Sequence, residues 1–185
     1  MALHQVERPE DYLRYAQGDR AELDALFRDL LIGVTSFFRD PEAFEVVEAE
    51  AIPRLFAGKR AGEAVRVWVC GCSTGEEAYS LAILIQEHLE TLGQNYHAQV
   101  FATDIDPKAI EQARSGVFPA SIGADVLPER LARHFSRHAE GDAYRIQKVI
   151  RDLVVFSEQD VIKDPPFSKL DMLSCRNLLI YTREG

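Results

Sequence analysis

The chain has 185 residues, 46% of them hydrophobic and 28% charged, which suits one domain or a core with a small appendage and excludes wholesale disorder. Its formal net charge of -9, with acids spread along the chain, argues against a general nucleic-acid binder, which needs a basic face. No apolar run approaches membrane-spanning length and the opening MALHQVERPED lacks a signal-peptide core, so a soluble cytoplasmic protein without membrane insertion is expected.

The first sixty residues read as helical, with Leu23, Leu26, Phe27, Leu30 and Leu31 on one face. Asp40-Pro41-Glu42 is a helix start, with an acid at the cap and proline where its missing N–H is harmless. That helix carries Phe44 and Val47 and is expected to end near Pro53, with Gly58 to Gly62 as the boundary between a helical segment, 1–62, and a core, 63–185. The pattern then alternates. Val65 to Cys70 reads as a buried strand, Gly71 to Gly75 as a tight turn, and Glu76 onward as a helix with Tyr79, Leu81, Ala82, Ile85 and Leu89. Gln99 to Thr103 is a second strand ending on Asp104, and Asp106-Pro107 caps a helix running to about Ser115. Pro128 opens a short helix through Phe135, and strands follow at Tyr144 to Ile146, Leu153 to Phe156 and Leu170 to Ser174. This order predicts an α/β fold with a parallel, doubly wound sheet and a ligand at the strand C-termini. Four core strands are counted, and the last would leave an open edge, so the sheet is expected to be truncated at the C-terminus.

Cys70, Cys72 and Cys175 are too few and too unevenly spaced for a disulfide framework or a zinc site, and are read as reduced thiols. His134 and His138 are read as surface residues, and no metal is expected.

The run Val69 to Tyr79, VCGCSTGEEAY, carries the chemistry. A glycine turn between strand and helix lets a ligand approach the backbone, and such turns often hold phosphate on the helix N-terminus. Here Glu76 and Glu77 occupy that first turn and would repel a pyrophosphate, and the lysine of a P-loop is lacking. The ligand expected is neutral or cationic, which S-adenosylmethionine, with an ammonium, a sulfonium and no phosphate, satisfies. The alternative reading is that both glutamates only complement the helix dipole. Asp104, an acid at the end of the second strand, is placed to accept hydrogen bonds from ribose hydroxyls, although it lies farther from the turn than the usual ~20 residues.

The segments LLIGVTSFFRDPEAF, VRVWVCGCSTGEEAYSLAI, VFATDIDPKAIEQARSGVF and LSCRNLLIY, in that order, resemble chemotaxis receptor methyltransferases. The stretch QDVIKDPPFSKLDMLSCRN is similar to the branches fused to methylesterase or sensory domains. The resemblance implies a Rossmann-like class I methyltransferase with a small antiparallel β subdomain inserted at about 118–152. Its cofactor is S-adenosylmethionine, its product S-adenosylhomocysteine, and its partners are helices of methyl-accepting chemoreceptors. It further implies that Thr35 and Arg39 hold the methionine portion, with Arg39 near the carboxylate, while Gly71 and Gly75 shape the turn. Glu77 would take the ammonium, Asp104 the ribose, and Asp160 with Val161 the adenine edge. Arg176 and Asn177 would close the site, and Tyr181 would face the transferred methyl. Two positions depart from the family pattern: Gly33 and Asp160 stand where asparagine is frequent.

A glutamate acceptor has an ordinary pKa of about 4.3, so it is an ionised nucleophile at neutral pH without a general base. Asp164-Pro-Pro-Phe167 resembles the motif of amino-group methyltransferases but precedes the last strand instead of following it, so that reading stays an alternative. A non-catalytic S-adenosylmethionine-binding fragment is the other. Between Val126 and Arg151 six Lys/Arg face only three acids, either a basic face for an acidic receptor helix or a solvated surface.

Overall fold

The computed structural model describes Tyr12, Tyr15, residues 17–19, Leu23, and residues 33–60, 62–93, 96–138 and 142–178. The chain divides into two compact units, Met1–Gly33 and Val34–Gly185. In the first, Tyr12, Tyr15 and Leu23 are helical; Leu26, Phe27, Leu30 and Leu31 of the expected apolar stripe lie outside the described residues.

The second unit opens with α1 (Pro41–Val46), a π-helical turn (Val47–Ala51) and α2 (Ile52–Phe56). The helix was expected to end near Pro53, and instead it passes through. Proline lacks the N–H for the ordinary ladder and its ring collides with the carbonyl four residues back. The chain answers with one widened turn, in which Ile52 N–H bonds to Val47 O, and helical geometry resumes. Ile52 and Phe56 thereby stay buried on the face that Phe44 began.

Four parallel strands follow: β1 (Ala64–Cys70), β2 (His97–Asp104), β6 (Val154–Glu158) and β7 (Met172–Ser174), in the order β6-β2-β1-β7. Their C-terminal ends are aligned, with Cys70 beside Thr103, Asp104 beside Glu158 and Val69 beside Ser174. The chain progresses from β1 outward through β2 to β6, then returns to the far side of β1 with β7. That reversal is the switch point where ligand crevices open in such sheets.

The helix α3 (Glu76–Leu92) and α4 (Pro107–Ser115) cover one face. Val65, Val67, Val69, Val100 and Ala102 on the strands are fully buried, as are Ala78, Ala82, Ile83 and Ile85 of α3. Each such valine or isoleucine contributes about 1.5–3 kcal/mol. On the other face the register sets Val155, Phe101, Trp68 and Leu173 in one row across all four strands. Phe167, from the β6–β7 connection, stacks on Phe101 at 4.5 Å and meets the Trp68 edge at 5.3 Å.

Between α4 and β6 the chain makes a second, antiparallel sheet. It consists of β3 (Val117–Pro119), β4 (Phe135–Arg137) and β5 (Ala143–Ile146) in the order β3-β5-β4, with α5 (Pro128–His134) before β4 and α6 (Lys148–Arg151) after β5. The three-residue strands β3 and β4 were too short to carry an alternating pattern. His134 was expected at the surface and is buried instead, its Nε2 3.0 Å from Glu87 Oε1 on α3. Helical spacing alone does not reveal which face of α5 docks on another element. No helix among the described residues is long and apolar enough to cross a membrane.

Candidate functional site

The turn from β1 to α3 is built on left-handed residues: Gly71 at φ 66°, Ser73 at φ 48° and Gly75 at φ 97°. Serine tolerates that conformation because its N–H is held by Asp104 Oδ2 at 2.7 Å, while Cys72 N–H bonds to Thr103 O at 2.9 Å. Asp104 Oδ1 accepts the Asp106 N–H at 2.9 Å, so one carboxylate braces both loops at the strand ends. Two N–H donors leave part of its capacity of about four lone-pair sites for hydroxyls.

Gly75 has no room for a side chain. A Cβ there would lie 3.0 Å from Ala113 Cβ and 3.1 Å from the Phe156 ring, besides the unfavourable φ. Gly75→Ala is therefore expected to lower the unfolding free energy by about 2–4 kcal/mol, read by urea denaturation.

The first turn of α3 presents both glutamates. Thr74 Oγ1 donates to Glu76, at 2.7 Å from Oε2, and burial raises the Glu76 carboxyl above the ordinary range. Glu77 Oε1 accepts from Ser174 Oγ at 2.6 Å, and Arg176 Nη1 lies 3.9 Å from Oε2. Burial again dominates and raises the Glu77 carboxyl, opposed by the Ser174 hydroxyl and by the charges of Arg176 and Arg39.

The Thr35–Asp40 segment is tied to α3 through Ser80 and to the exit of β7 through Arg176. Phe38 (φ 49°) and Asp40 (φ 58°) are both left-handed, and the Phe38 N–H is held at 3.0 Å by the buried hydroxyl of Ser80. Phe37 and Phe38 are buried. Arg39 Nη1 closes the segment on Val34 O at 2.8 Å, and half-buried Thr35 lies between them. Asp40 stands at the cap of α1 as expected, but its side chain makes no cap bond and accepts from Arg176 Nη2 at 2.7 Å. The same Nη2 donates to Arg39 O at 2.7 Å, and the guanidinium lies 5.0 Å over the Phe44 ring. Arg176 thus joins the exit of β7 to Glu77, Arg39 and Asp40. Asn177 follows it with φ 58°.

Asp160 and Val161 lie beyond β6, in a turn that the Asp160 carboxylate organises by accepting from Ile162 N–H at 3.0 Å and pairing with Lys163 Nζ at 2.9 Å. Gln159 before them is buried, its N–H on Asp104 O at 2.9 Å and its Nε2 on Pro165 O at 2.9 Å, with no partner for Oε1 among the described residues. Tyr181 lies outside the described residues. Ser80, Ser174 and the side-chain role of Asp40 escaped sequence reasoning. A small hydroxyl at the very end of a predicted strand is the signal that would have flagged Ser174.

The thiols are quiet. Burial pushes Cys70 up to about 12, and Cys72 and Cys175 are raised as well, so none forms a thiolate readily at neutral pH.

Glycine turn, strand-end acid and switch point together define an α/β domain of the nucleoside-cofactor class, with carboxylates where phosphate-binding members present donors. The donor set fits S-adenosylmethionine: half-buried carboxyl groups would meet its cationic end, and Asp104 with Gln159 would offer acceptors to its nucleoside end. The family model described as CheR methyltransferase, SAM binding domain, matches residues 33–185, and the chain belongs to that family. An uncharacterized 104.1 kDa protein of Rhodobacter capsulatus is 42% identical over 99% of this chain and 19% of its own length. A putative methyltransferase, Cher3, of Pseudomonas putida is 36% identical over 84% of the chain and 56% of its own length. A chemotaxis protein methyltransferase of Listeria monocytogenes is 31% identical over 95% of the chain and 64% of its own length. The chain therefore spans from about a fifth to just under two thirds of these relatives.

Proposed function

We propose that this chain is the S-adenosylmethionine-binding core of a cytoplasmic enzyme that methylates glutamate side chains on chemoreceptor helices. The observation that carries the reading is the half-buried Glu77 carboxyl, at the head of α3, facing Ser174 and the two arginines. When bound, the cofactor supplies a methyl group made electrophilic by the sulfonium.

The remaining work belongs to the protein. Glu77 would bind the ammonium, Thr35 and Arg39 would hold the methionine portion with Arg39 near its carboxylate, and Gly71 and Gly75 shape the turn. Asp104 orients the ribose, and Asp160 with Val161 edges the adenine. Arg176 and Asn177 would close the site beneath the cofactor, and Tyr181 would face the transferred methyl. An acceptor glutamate arrives already ionised. The enzyme's task is then to align it and to strip water from it, which raises its nucleophilicity. The inserted sheet and the basic stretch Val126 to Arg151 form the side that meets an acidic receptor helix.

Asp164-Pro-Pro-Phe167 does not sit where an amino-group methyltransferase needs it. Pro165 O accepts from Gln159 and Phe167 packs on the outer sheet face, against Phe101 and Trp68. The test is transfer of radiolabelled methyl from the cofactor to a receptor cytoplasmic fragment. The expected product releases methanol in mild alkali, as an ester does. Label that survives alkali as N-methyl would overturn the reading, and cofactor binding without any transfer would leave a binding module.

A further inference from the structure

The Arg39 segment is gripped from the side of the inserted subdomain. Phe37 packs edge-on against Phe118 of β3 at 4.8 Å and Phe135 of β4 at 5.3 Å. Phe38 lies between Phe44, at 5.4 Å, and the guanidinium of Arg130 from α5, 5.1 Å above its ring. Arg130 is itself held on both sides. Its Nε and Nη2 donate to Glu87 of α3, at 3.1 and 2.8 Å from Oε2, and Nη2 also reaches Glu48 of the π-helical turn at 2.6 Å. His134 fixes the other oxygen of Glu87 at 3.0 Å. The side chain of Arg130 is only 16% exposed, so this is a built contact and not a surface ion pair.

The arrangement has a direction. Phe38 is in the left-handed region, which a bulky residue adopts only when its surroundings enforce it. Ser80 holds its N–H from α3, and Arg130 holds its ring from the insertion. Release of the ring lets Phe38 return to an ordinary φ, and the next residue in the chain, Arg39, swings with it.

We propose that Arg130 is a positioning residue for the cofactor: through Phe38 it sets Arg39, and so links the inserted subdomain to the methionine end of the site. The proposal rests on the cofactor reading above. By linkage, a partner that shifts α5 changes cofactor affinity, and the cofactor changes the partner's affinity by the same factor.

The second ion pair between the same two helices provides the control. Arg133 pairs with Glu90, joining α5 to α3 through half-exposed side chains. Dissociation constants for S-adenosylhomocysteine are measured by calorimetry on the full chain carrying Arg130→Ala, Glu90→Ala, Phe38→Leu and the Arg130/Phe38 double substitution, each with its melting temperature. Arg130→Ala is expected to weaken binding at least fivefold, Glu90→Ala less than twofold, and the double variant no more than Phe38→Leu alone. Equal effects of Arg130→Ala and Glu90→Ala, or additive losses in the double variant, would overturn the proposal. If the alanine variant does not fold, Arg130→Lys keeps the charge and gives up the planar fork. An affinity between wild type and Phe38→Leu is then expected, and wild-type affinity overturns the proposal. Failure of the wild-type chain to bind at all would remove the cofactor reading itself, a result distinct from all of these.

Discussion

Asp104→Ala is expected to weaken S-adenosylhomocysteine binding by about 100-fold or more, roughly 2.7 kcal/mol, and to destabilise the fold at the same time. Both effects follow from one carboxylate with two duties. Its oxygens accept the N–H groups of Ser73 and Asp106, at 2.7 and 2.9 Å, and so clamp the glycine turn to the end of β2. Hydrogen bonds to a charged acceptor are worth about 1.5–3 kcal/mol each, so losing both is expected to lower the unfolding free energy by about 3–6 kcal/mol. Asp104→Asn retains one acceptor and must set its amide NH₂ against a backbone N–H, so it should fall between alanine and wild type. Calorimetry and urea denaturation on the three proteins measure both quantities. Binding by Asp104→Ala within threefold of wild type would show that the ribose is not held there.

Glu77→Gln is expected to move stability and binding in opposite directions. Burial raises the Glu77 carboxyl above its unfolded value, so the ionised form is a burden on the cofactor-free fold. The sign follows from linkage: a raised acid contributes its stability fully below the unfolded pKa, and loses it as pH rises through the folded one. At pH 7 to 8 the glutamine variant should therefore melt higher than wild type without cofactor, and this advantage should vanish as pH falls into the ordinary carboxylate range. The ammonium of the cofactor selects the carboxylate, so affinity in wild type should fall by up to about tenfold per pH unit below the raised pKa. The glutamine variant should bind about 10- to 100-fold more weakly at neutral pH, from loss of a half-buried charge partner, with that pH dependence gone. A glutamine variant with wild-type affinity would remove Glu77 from the cofactor site.

Much of this was legible in one dimension because it is local. The strand Val65 to Cys70, the turn beginning at Gly71 and the helix from Glu76 are contiguous, and their patterning and backbone requirements act over a few residues. The Asp106-Pro107 cap was legible for the same reason, and Asp106 Oδ1 does accept the Lys108 N–H at 2.9 Å. Pro53 was misread because a proline announces a lost hydrogen bond but not how the chain accommodates it, and the widened turn depends on burial of Ile52 and Phe56. His134 was misread because its partner, Glu87, is 47 residues away.

The amino-acid order by itself determined the class of the domain, the carboxylate character of its glycine turn and the acid at the end of β2, all of which follow from short-range sterics and charge. Only the tertiary structure decided which groups share the Glu77 carboxylate. Ser174 and Arg176 lie 97 and 99 residues along the chain from it and reach it because β7 pairs with the far side of β1. It likewise decided that Arg130, in an insertion, grips the segment that carries Arg39. Such contacts depend on strand order and helix docking, which are set by the burial of whole faces and not by any residue's neighbours in the chain.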